Sequence, residues 1–109
     1  MIKFCDELYM TDSLKPKLNS IKLKLISGIG LLNVFVISFS SNRKDVFDIH
    51  PAYVFKQRKM RTRDMVVLGI ADSQNAAFEL ISEMINECFE KTGSYYNIRN
   101  YFENKFERR

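Results

Sequence analysis

Hydrophobic residues along the chain form short continuous runs and helically spaced stripes, a combination typical of a domain that mixes strands and helices. The clearest run is LLNVFVISF at 31–39, which is rich in Val, Ile and Phe and ends at Ser40. A short run that is apolar on both faces favours a strand covered on both sides. MVVLGI at 65–70 has the same character. IKFCDELYM at 2–10 is the third predicted strand.

Three helices are predicted from apolar residues that recur at helical spacing. The strongest covers 73–91 and ends before Gly93, a residue suited to a left-handed helix terminus. An earlier helix is predicted over about 13–27, although IKLKL within it also alternates like a strand. A final helix is predicted over 97–107, packed back onto the domain.

Residues 43–59 read as helical but broken, because Pro51 lacks an N–H and pushes His50 away from helical angles. We expect one short helix before Pro51, or two that meet there. The element order is then β-α-β-α-β-α plus a C-terminal helix. It predicts a small three-layer α/β domain with about three mainly parallel strands. Residues 1–109 form one domain of ordinary size.

Composition and the lengths of the apolar runs bear on the cellular location of the protein. Hydrophobic residues make up 46% of the chain, which is enough for one core. The longest apolar run is far shorter than the ~20 residues of a membrane span. The first ten residues lack a signal-peptide core, and Cys5 and Cys88 do not make a disulfide framework. The sequence therefore predicts a cytoplasmic protein without a membrane partner.

Charge is distributed unevenly along the chain. Residues 1–63 hold twelve basic and five acidic side chains, whereas residues 64–109 hold five basic and eight acidic ones. Such an asymmetry can draw an anionic partner to one face. It can equally help two copies meet, basic face to acidic face.

The basic segment FKQRKMRTRD at 55–64 raises the hypothesis of nucleic-acid binding. Tyr53 and Phe55 lie near enough to stack on an exposed base. The alternative is a solvated connector, and no helix-turn-helix, RNA-recognition or KH signature is present. In the predicted topology residues 57–64 and 40–44 lie at opposite ends of the sheet, which favours the connector. The candidate residues are Lys15, Lys17, Lys22, Lys24, Lys56, Arg58, Lys59, Arg61 and Arg63.

A third hypothesis is a small phosphate or carboxylate ligand at the carboxyl ends of the strands, where open α/β sheets usually bind. Hydroxyls and helix N-termini in three loops could hold such an anion. The alternative is that these residues are ordinary helix caps. The candidates are Asp12, Ser13, Ser40, Ser41, Arg43, Asp72 and Ser73.

Catalytic chemistry has little support in the sequence. His50 is the only histidine, and a His-Pro pair at a helix break is typical of a structural junction. Cys88 falls on the apolar stripe of the strongest helix and behaves as a core residue. One His and two separated Cys do not fit any usual zinc spacing. A non-enzymatic protein without metal or cofactor is therefore favoured.

The first hypothesis for function is a domain that acts through protein contacts, as a homodimer. A three-stranded sheet has two exposed edges, which a second subunit often covers. Aromatic residues near the C-terminus would pack the last helix or form part of that interface. They are Tyr95, Tyr96, Tyr101, Phe102 and Phe106.

The segments SGIGLLNVFVIS, VVLGIADSQNAAFELISEMI and KTGSYYNIRNYF together resemble a set of small uncharacterised bacterial proteins without known activity. Those proteins similarly combine a Lys-rich helix, an apolar strand, a Gly-Ile-Ala strand end and a C-terminal Tyr-Asn-Ile-Arg-like segment. The resemblance covers about residues 13–103. It implies a compact bacterial domain and carries over no functional residue.

Overall fold

The computed structural model describes residues 2–31, 33–40, 46–94 and 97–107, apart from the side chains of Asp6, Phe106 and Glu107. Its strands are β1 (Ile2–Met10), β2 (Phe35–Phe39), β3 (Phe47–Pro51) and β4 (Met65–Ala71). Its α-helices are α1 (Leu18–Ser27), α2 (Arg58–Arg61), α3 (Gln74–Thr92) and α4 (Ile98–Glu107). Two 3-10 helices, Asp12–Lys17 and Ala52–Lys56, precede α1 and α2.

The four strands of the described part form one mixed sheet in the order β1-β4-β2-β3. β1 is parallel to β4, whereas β2 is antiparallel to both β4 and β3. The α/β class is confirmed, but the prediction of about three mainly parallel strands is wrong. Only residues 40–46 connect β2 to β3, and a parallel crossover needs a dozen or more residues.

The strand β3 replaces the broken helix that was predicted around Pro51. Phe47 and Ile49 point into the apolar clusters on the α3 side of the sheet. Pro51 is the last residue of this edge strand, where the missing N–H costs no internal ladder bond. The alternation of apolar and polar residues in FDIHP is typical of a strand, but Pro51 favoured the prediction of a broken helix instead.

Helices cover both faces of the sheet. On one face α1 and the second 3-10 helix contribute Leu25 and Phe55, each 1% exposed, to a cluster with Val36 and Val67 of the sheet. Met60 of α2 packs against the same cluster. Burial of these side chains therefore holds both segments on one side of the molecule.

The opposite face is covered by α3 and α4. Met84 and Cys88 of α3 and Phe102 of α4 pack with Leu68 of β4 and Cys5 of β1. Nearer the start of α3, Ala77 and Leu80 pack against Ile37 and Ala71 of the sheet. Successive residues of β4 pack on opposite faces of the sheet. Met65 and Val67 join the cluster on the α1 side, whereas Val66 and Leu68 join the cluster on the α3 side, as expected for a central strand covered on both sides.

The helices predicted over 13–27, 73–91 and 97–107 are confirmed, although the α-helical part of the first begins only at Leu18. α3 begins after Ser73, whose hydroxyl accepts from the N–H of Ala76 at 3.0 Å, and it ends at Gly93 with φ of 72°. α1 ends at Gly28 with φ of 76°, while Pro16 lies in the 3-10 helix that precedes it. Among the helices described here, none is long and apolar enough to cross a membrane.

Candidate nucleic-acid interface

The layer formed by both 3-10 helices, α1 and α2 is strongly basic, and we call its outer surface the basic layer. These four elements contain eight Lys and Arg residues and one Asp, a formal charge of +7. Across the sheet, α3 and α4 contain three basic and six acidic residues, a formal charge of −3. The cations of α1 and α2 therefore share one side of the molecule. The prediction that residues 57–64 and 40–44 lie at opposite ends of the sheet is wrong for Ser40, which lies beside Arg63, while Arg43 and Lys44 lie outside the described residues.

Contacts between the end of α1 and the segment around α2 bring the clusters together. The guanidinium of Arg61 packs against Gly28, where a side chain would collide with it. Arg61 also donates to the carbonyl oxygens of Phe55 and Lys56, at 3.0 and 2.6 Å. Since these carbonyls occupy its Nη1 donor, Arg61 mainly holds the end of α1 against the segment before α2 and contributes less to ligand binding.

The remaining cations differ in how much charge they present. Lys15 pairs with Asp12 at 2.9 Å, and this contact lowers the pKa of the Asp12 carboxyl. Lys22 lies over the ring of Phe4, 5.3 Å from its centroid. Five further side chains make no ion pair with any other residue that the structure describes. They are Lys17, Lys24, Lys56, Arg58 and Lys59.

Exposed apolar groups lie among these cations. Tyr53 is 57% exposed on the second 3-10 helix, so its ring is available for stacking. Phe55 is 1% exposed in the core, and its predicted stacking role is therefore wrong. Leu23 and Ile26 of α1 are also more than half exposed. The surface thus combines cations with one aromatic ring and a few aliphatic side chains.

The predicted strand-end loops do not meet as a group of three. Because β1 and β4 are parallel, Ser13 reaches Asp72 and donates to its carboxylate at 2.8 Å. Ser40 lies at the opposite end of the sheet, because β2 is antiparallel to β4. The prediction that the three loops converge is therefore wrong. Ser41 and Arg43 lie outside the described residues.

The end of the sheet that carries Ser13 and Asp72 continues into the basic layer. A cleft of about 430 Å³ is lined there by Ser13, Asp72, Lys17 and Lys24, among others. Ser73, the other polar residue of this loop, caps α3. Positive charge at this cleft comes from Lys17 and Lys24, and the carboxylate of Asp72 opposes it.

A polar network centred on Glu87, between α3, α4 and β1, was not predicted from the sequence. Tyr9 and Tyr101 each donate a hydroxyl to Glu87 at 2.7 Å. The ammonium of Lys105 donates to Glu87 at 2.9 Å and to the hydroxyl oxygen of Tyr9 at 2.7 Å. The spacing of residues within α3 cannot reveal these contacts, because the partners of Glu87 lie on β1 and α4.

The pKa values in this network favour a fixed structural role. Burial would raise the pKa of Glu87, but hydrogen bonds from Tyr9, Lys105 and Tyr101 outweigh it and hold that pKa below its ordinary value. Burial and the bond to Glu87 raise the pKa of Tyr101 to about 12, and they raise that of Tyr9 further. The two tyrosines therefore stay protonated donors to a carboxylate at neutral pH.

The aromatic residues predicted for an interface are divided by this arrangement. Tyr101 belongs to the network, and Phe102 is 2% exposed in the core, so both pack α4 against the domain. Tyr95, Tyr96 and the side chain of Phe106 lie outside the described part. A role for those three in subunit contact stays a prediction.

His50 lies on the edge strand β3 with its ring edge-on to Phe55, 6.4 Å between centroids. Burial lowers its pKa, the charge of Asp48 opposes that effect, and the charge of Arg63 adds to it. Cys5 and Cys88 are buried and not joined to each other. Within the described ranges, no group of three His, Cys, Asp or Glu side chains is placed to hold a metal ion.

Comparison of the chain with protein-family models, with curated proteins and with solved structures found no match. The resemblance to small bacterial proteins therefore stays a prediction.

Proposed function

We propose that the protein binds nucleic acid through the basic layer. The observation that carries this proposal is the convergence of two sequence-distant basic segments on one face. α1 and α2 both pack on the apolar cluster of that face, so their outward-pointing cations form one surface. Phosphate contacts of this kind supply most of the affinity in sequence-independent binding.

The preferred partner in this proposal is a single strand. Lys17, Lys24, Lys56, Arg58 and Lys59 would neutralise backbone phosphates, and the exposed ring of Tyr53 would stack on one base. α2 spans only four residues, which is too short to read a major groove as a recognition helix does. The contacts available are therefore to phosphates and to base faces, which favours binding with little sequence preference.

Fluorescence anisotropy with a labelled single-stranded oligonucleotide tests the proposal. We expect a Kd of roughly 10⁻⁴–10⁻⁶ M near physiological salt. The logarithm of the binding constant should fall with the logarithm of salt concentration, with a slope of about −3 to −4 for five phosphate contacts.

Anionic phospholipid vesicles provide the comparison in the same experiment, since Leu23 and Ile26 are exposed beside the lysines. Pelleting with vesicles in the absence of any oligonucleotide binding at low salt would overturn the proposal. Binding to the oligonucleotide that persists unchanged in high salt would contradict it as well.

A second candidate function, protein contact as a homodimer, is favoured by the outer face of α3. Phe78 is 53% exposed there, and Phe89 is 41% exposed on the same helix. The edge strands β1 and β3 offer further places for a second copy. Sedimentation at micromolar concentration should then show a dimer that Phe78→Ser weakens, whereas a monomer would count against it. Both candidates assume the cytoplasmic location predicted from the sequence.

A further inference from the structure

A cleft at the edge of the sheet brings together three cations from three separate parts of the chain. It has a volume of about 430 Å³, and we call it the edge cleft. Lys3 of β1, Arg63 before β4 and Arg99 of α4 all line it. Ser40 lines it too, because the antiparallel pairing of β2 with β4 carries the end of β2 to the start of β4.

Arg99 is held in place at the edge cleft by several contacts. It donates to the carbonyl oxygen of Ser40 at 2.9 Å and pairs with Glu103 at 2.9 Å. Its guanidinium also lies over the ring of Phe39, 4.9 Å from the centroid. A guanidinium that is already oriented loses less conformational entropy when it binds an anion.

The charges lining the edge cleft suit a doubly charged anion. Among the residues that line the cleft, Asp64 carries the one carboxylate, so the lining has a formal charge of +2; Glu103 pairs with Arg99 from outside the lining. A phosphate monoester carries about −1.5 to −2 charges at neutral pH, whereas an internal phosphodiester carries one. Arg63 can present a planar pair of donors to phosphate oxygens, which a lysine cannot, whereas Arg99 already uses Nε and Nη1 for Glu103 and Ser40 and presents Nη2.

The edge cleft also adjoins the basic layer. Arg63 follows α2 by two residues, and its Nη1 makes a weak contact of 3.6 Å with the sulfur of Met60. A strand that follows the cations of α2 would therefore reach Arg63 next. The buried end of β2 lines one side of the edge cleft, and the charge of the cleft favours the terminal phosphate of such a strand over an internal one.

We propose that the edge cleft binds a phosphate monoester through Lys3, Arg63 and Arg99. The monoester is either the terminal phosphate of a nucleic-acid strand or the phosphate of a free nucleotide. The first source rests on the proposed nucleic-acid binding, whereas the second does not.

Two measurements on the intact chain test this site. The first is thermal unfolding with inorganic phosphate or a nucleoside monophosphate, against sodium chloride of equal ionic strength. The second is the affinity for one single-stranded oligonucleotide with and without a 5′-phosphate. The variants are Lys3→Gln and Arg63→Gln, and the control is Lys91→Gln, which removes one exposed cation of α3 that does not line the edge cleft.

Phosphate should raise the Tm of the wild type and of Lys91→Gln above the chloride reference. The shift should be lost in Lys3→Gln and Arg63→Gln. If the strand end is the ligand, the 5′-phosphate should strengthen oligonucleotide binding about tenfold, and either variant should abolish that gain. If the free nucleotide is the ligand, the monophosphate should raise the Tm while the 5′-phosphate changes nothing.

No stabilisation by phosphate beyond that of chloride, together with no effect of the 5′-phosphate, would overturn the site. So would a phosphate effect that Lys91→Gln removes as fully as Arg63→Gln. Oligonucleotide binding that ignores the 5′-phosphate would leave the basic layer as a binding surface. A phosphate effect without any oligonucleotide binding would instead overturn the proposed function and keep the edge cleft.

Discussion

At the scale of single residues, the carboxylate of Glu87 joins three elements that are distant in sequence. Tyr9, Tyr101 and Lys105 all donate to it, so β1 and α4 are fixed to α3 at one point. The side chain is 25% exposed, which leaves the group partly shielded from water. Hydrogen bonds to a charged acceptor in such a setting stabilise more than exposed ion pairs do.

Glu87→Gln should therefore lower the free energy of unfolding by about 1–3 kcal/mol. The glutamine amide has only one acceptor oxygen, and its NH₂ group would face a hydroxyl or ammonium donor that now bonds to the carboxylate. Glu83→Gln, one turn earlier on the exposed side of α3, should change the free energy of unfolding by less than about 0.5 kcal/mol. Urea unfolding of the three proteins measures the difference. Equal stability of the two variants would contradict the role given to Glu87.

The same carboxylate predicts a dependence on acid. Its pKa is lower in the folded protein than its ordinary 4.5, so the unfolded chain takes up a proton first as pH falls. The stability that Glu87 contributes is fully present above that ordinary value and is lost as pH falls through the folded pKa. Urea midpoints between pH 6 and pH 3 should fall less steeply for Glu87→Gln than for the wild type. Parallel curves would contradict this.

His50 predicts a second pH effect in a different range. Burial lowers its pKa below the ordinary 6.5, so the folded protein holds the neutral ring. Stability should be complete above pH 6.5 and should be lost as pH falls toward the folded pKa, because the unfolded chain binds the proton more readily. His50→Gln should flatten the urea midpoint between pH 7.5 and pH 5.5. A profile identical to the wild type would contradict burial of a neutral imidazole.

At the scale of elements, α1, α3 and α4 could be predicted, whereas β3 and the strand directions could not. Helix ends follow from local chemistry, such as the Ser73 cap and the left-handed Gly93. Direction in the sheet depends on the connection between β2 and β3 and on long-range burial, which periodicity does not reveal. Once β3 was taken for a helix, β2 had to be placed parallel to β4. That single error also put Ser40 at the wrong end of the sheet.

Gly69 of β4 shows how closely the central strands approach. A Cβ there would lie 2.8 Å from the carbonyl oxygen of Tyr9 and 3.2 Å from Cδ1 of Ile37. The β1–β4 register also breaks between Phe4 and Tyr9, next to this contact. Backbone atoms of a paired strand cannot move aside as the end of a long side chain can.

Gly69→Ala should therefore destabilise by about 1–3 kcal/mol. Gly93→Ala provides the comparison, because a Cβ there meets nothing within 4 Å and costs only the left-handed conformation, about 1 kcal/mol. Thermal or urea unfolding of both variants measures the difference. A Gly69→Ala protein at least as stable as Gly93→Ala would contradict the close packing of β1 on β4.

At the scale of the whole molecule, the sheet separates a layer of formal charge +7 from one of −3. The sequence already predicted a basic first part and an acidic remainder. It could not predict that α1 and α2 share a face, since that depends on Leu25 and Met60 packing on one cluster. A field of one sign over one face attracts polyanions more strongly than the net charge of +4 would.

The most direct test compares two triple variants in the anisotropy measurement. Lys56→Gln, Arg58→Gln and Lys59→Gln remove three charges from the basic layer. The control lowers the net charge equally on exposed positions of α3 away from the cleft that Ser13 and Asp72 line, by Ser82→Glu, Asn86→Asp and Lys91→Gln. Both proteins then carry +1 in place of +4.

The basic-layer triple should bind the oligonucleotide roughly tenfold or more weakly, with a salt slope reduced by about 2, because three phosphate contacts are lost. The control should bind within about twofold of the wild type, since its lost charges lie on the other side of the sheet. Equal weakening by both triples, or none by either, would contradict binding through the basic layer.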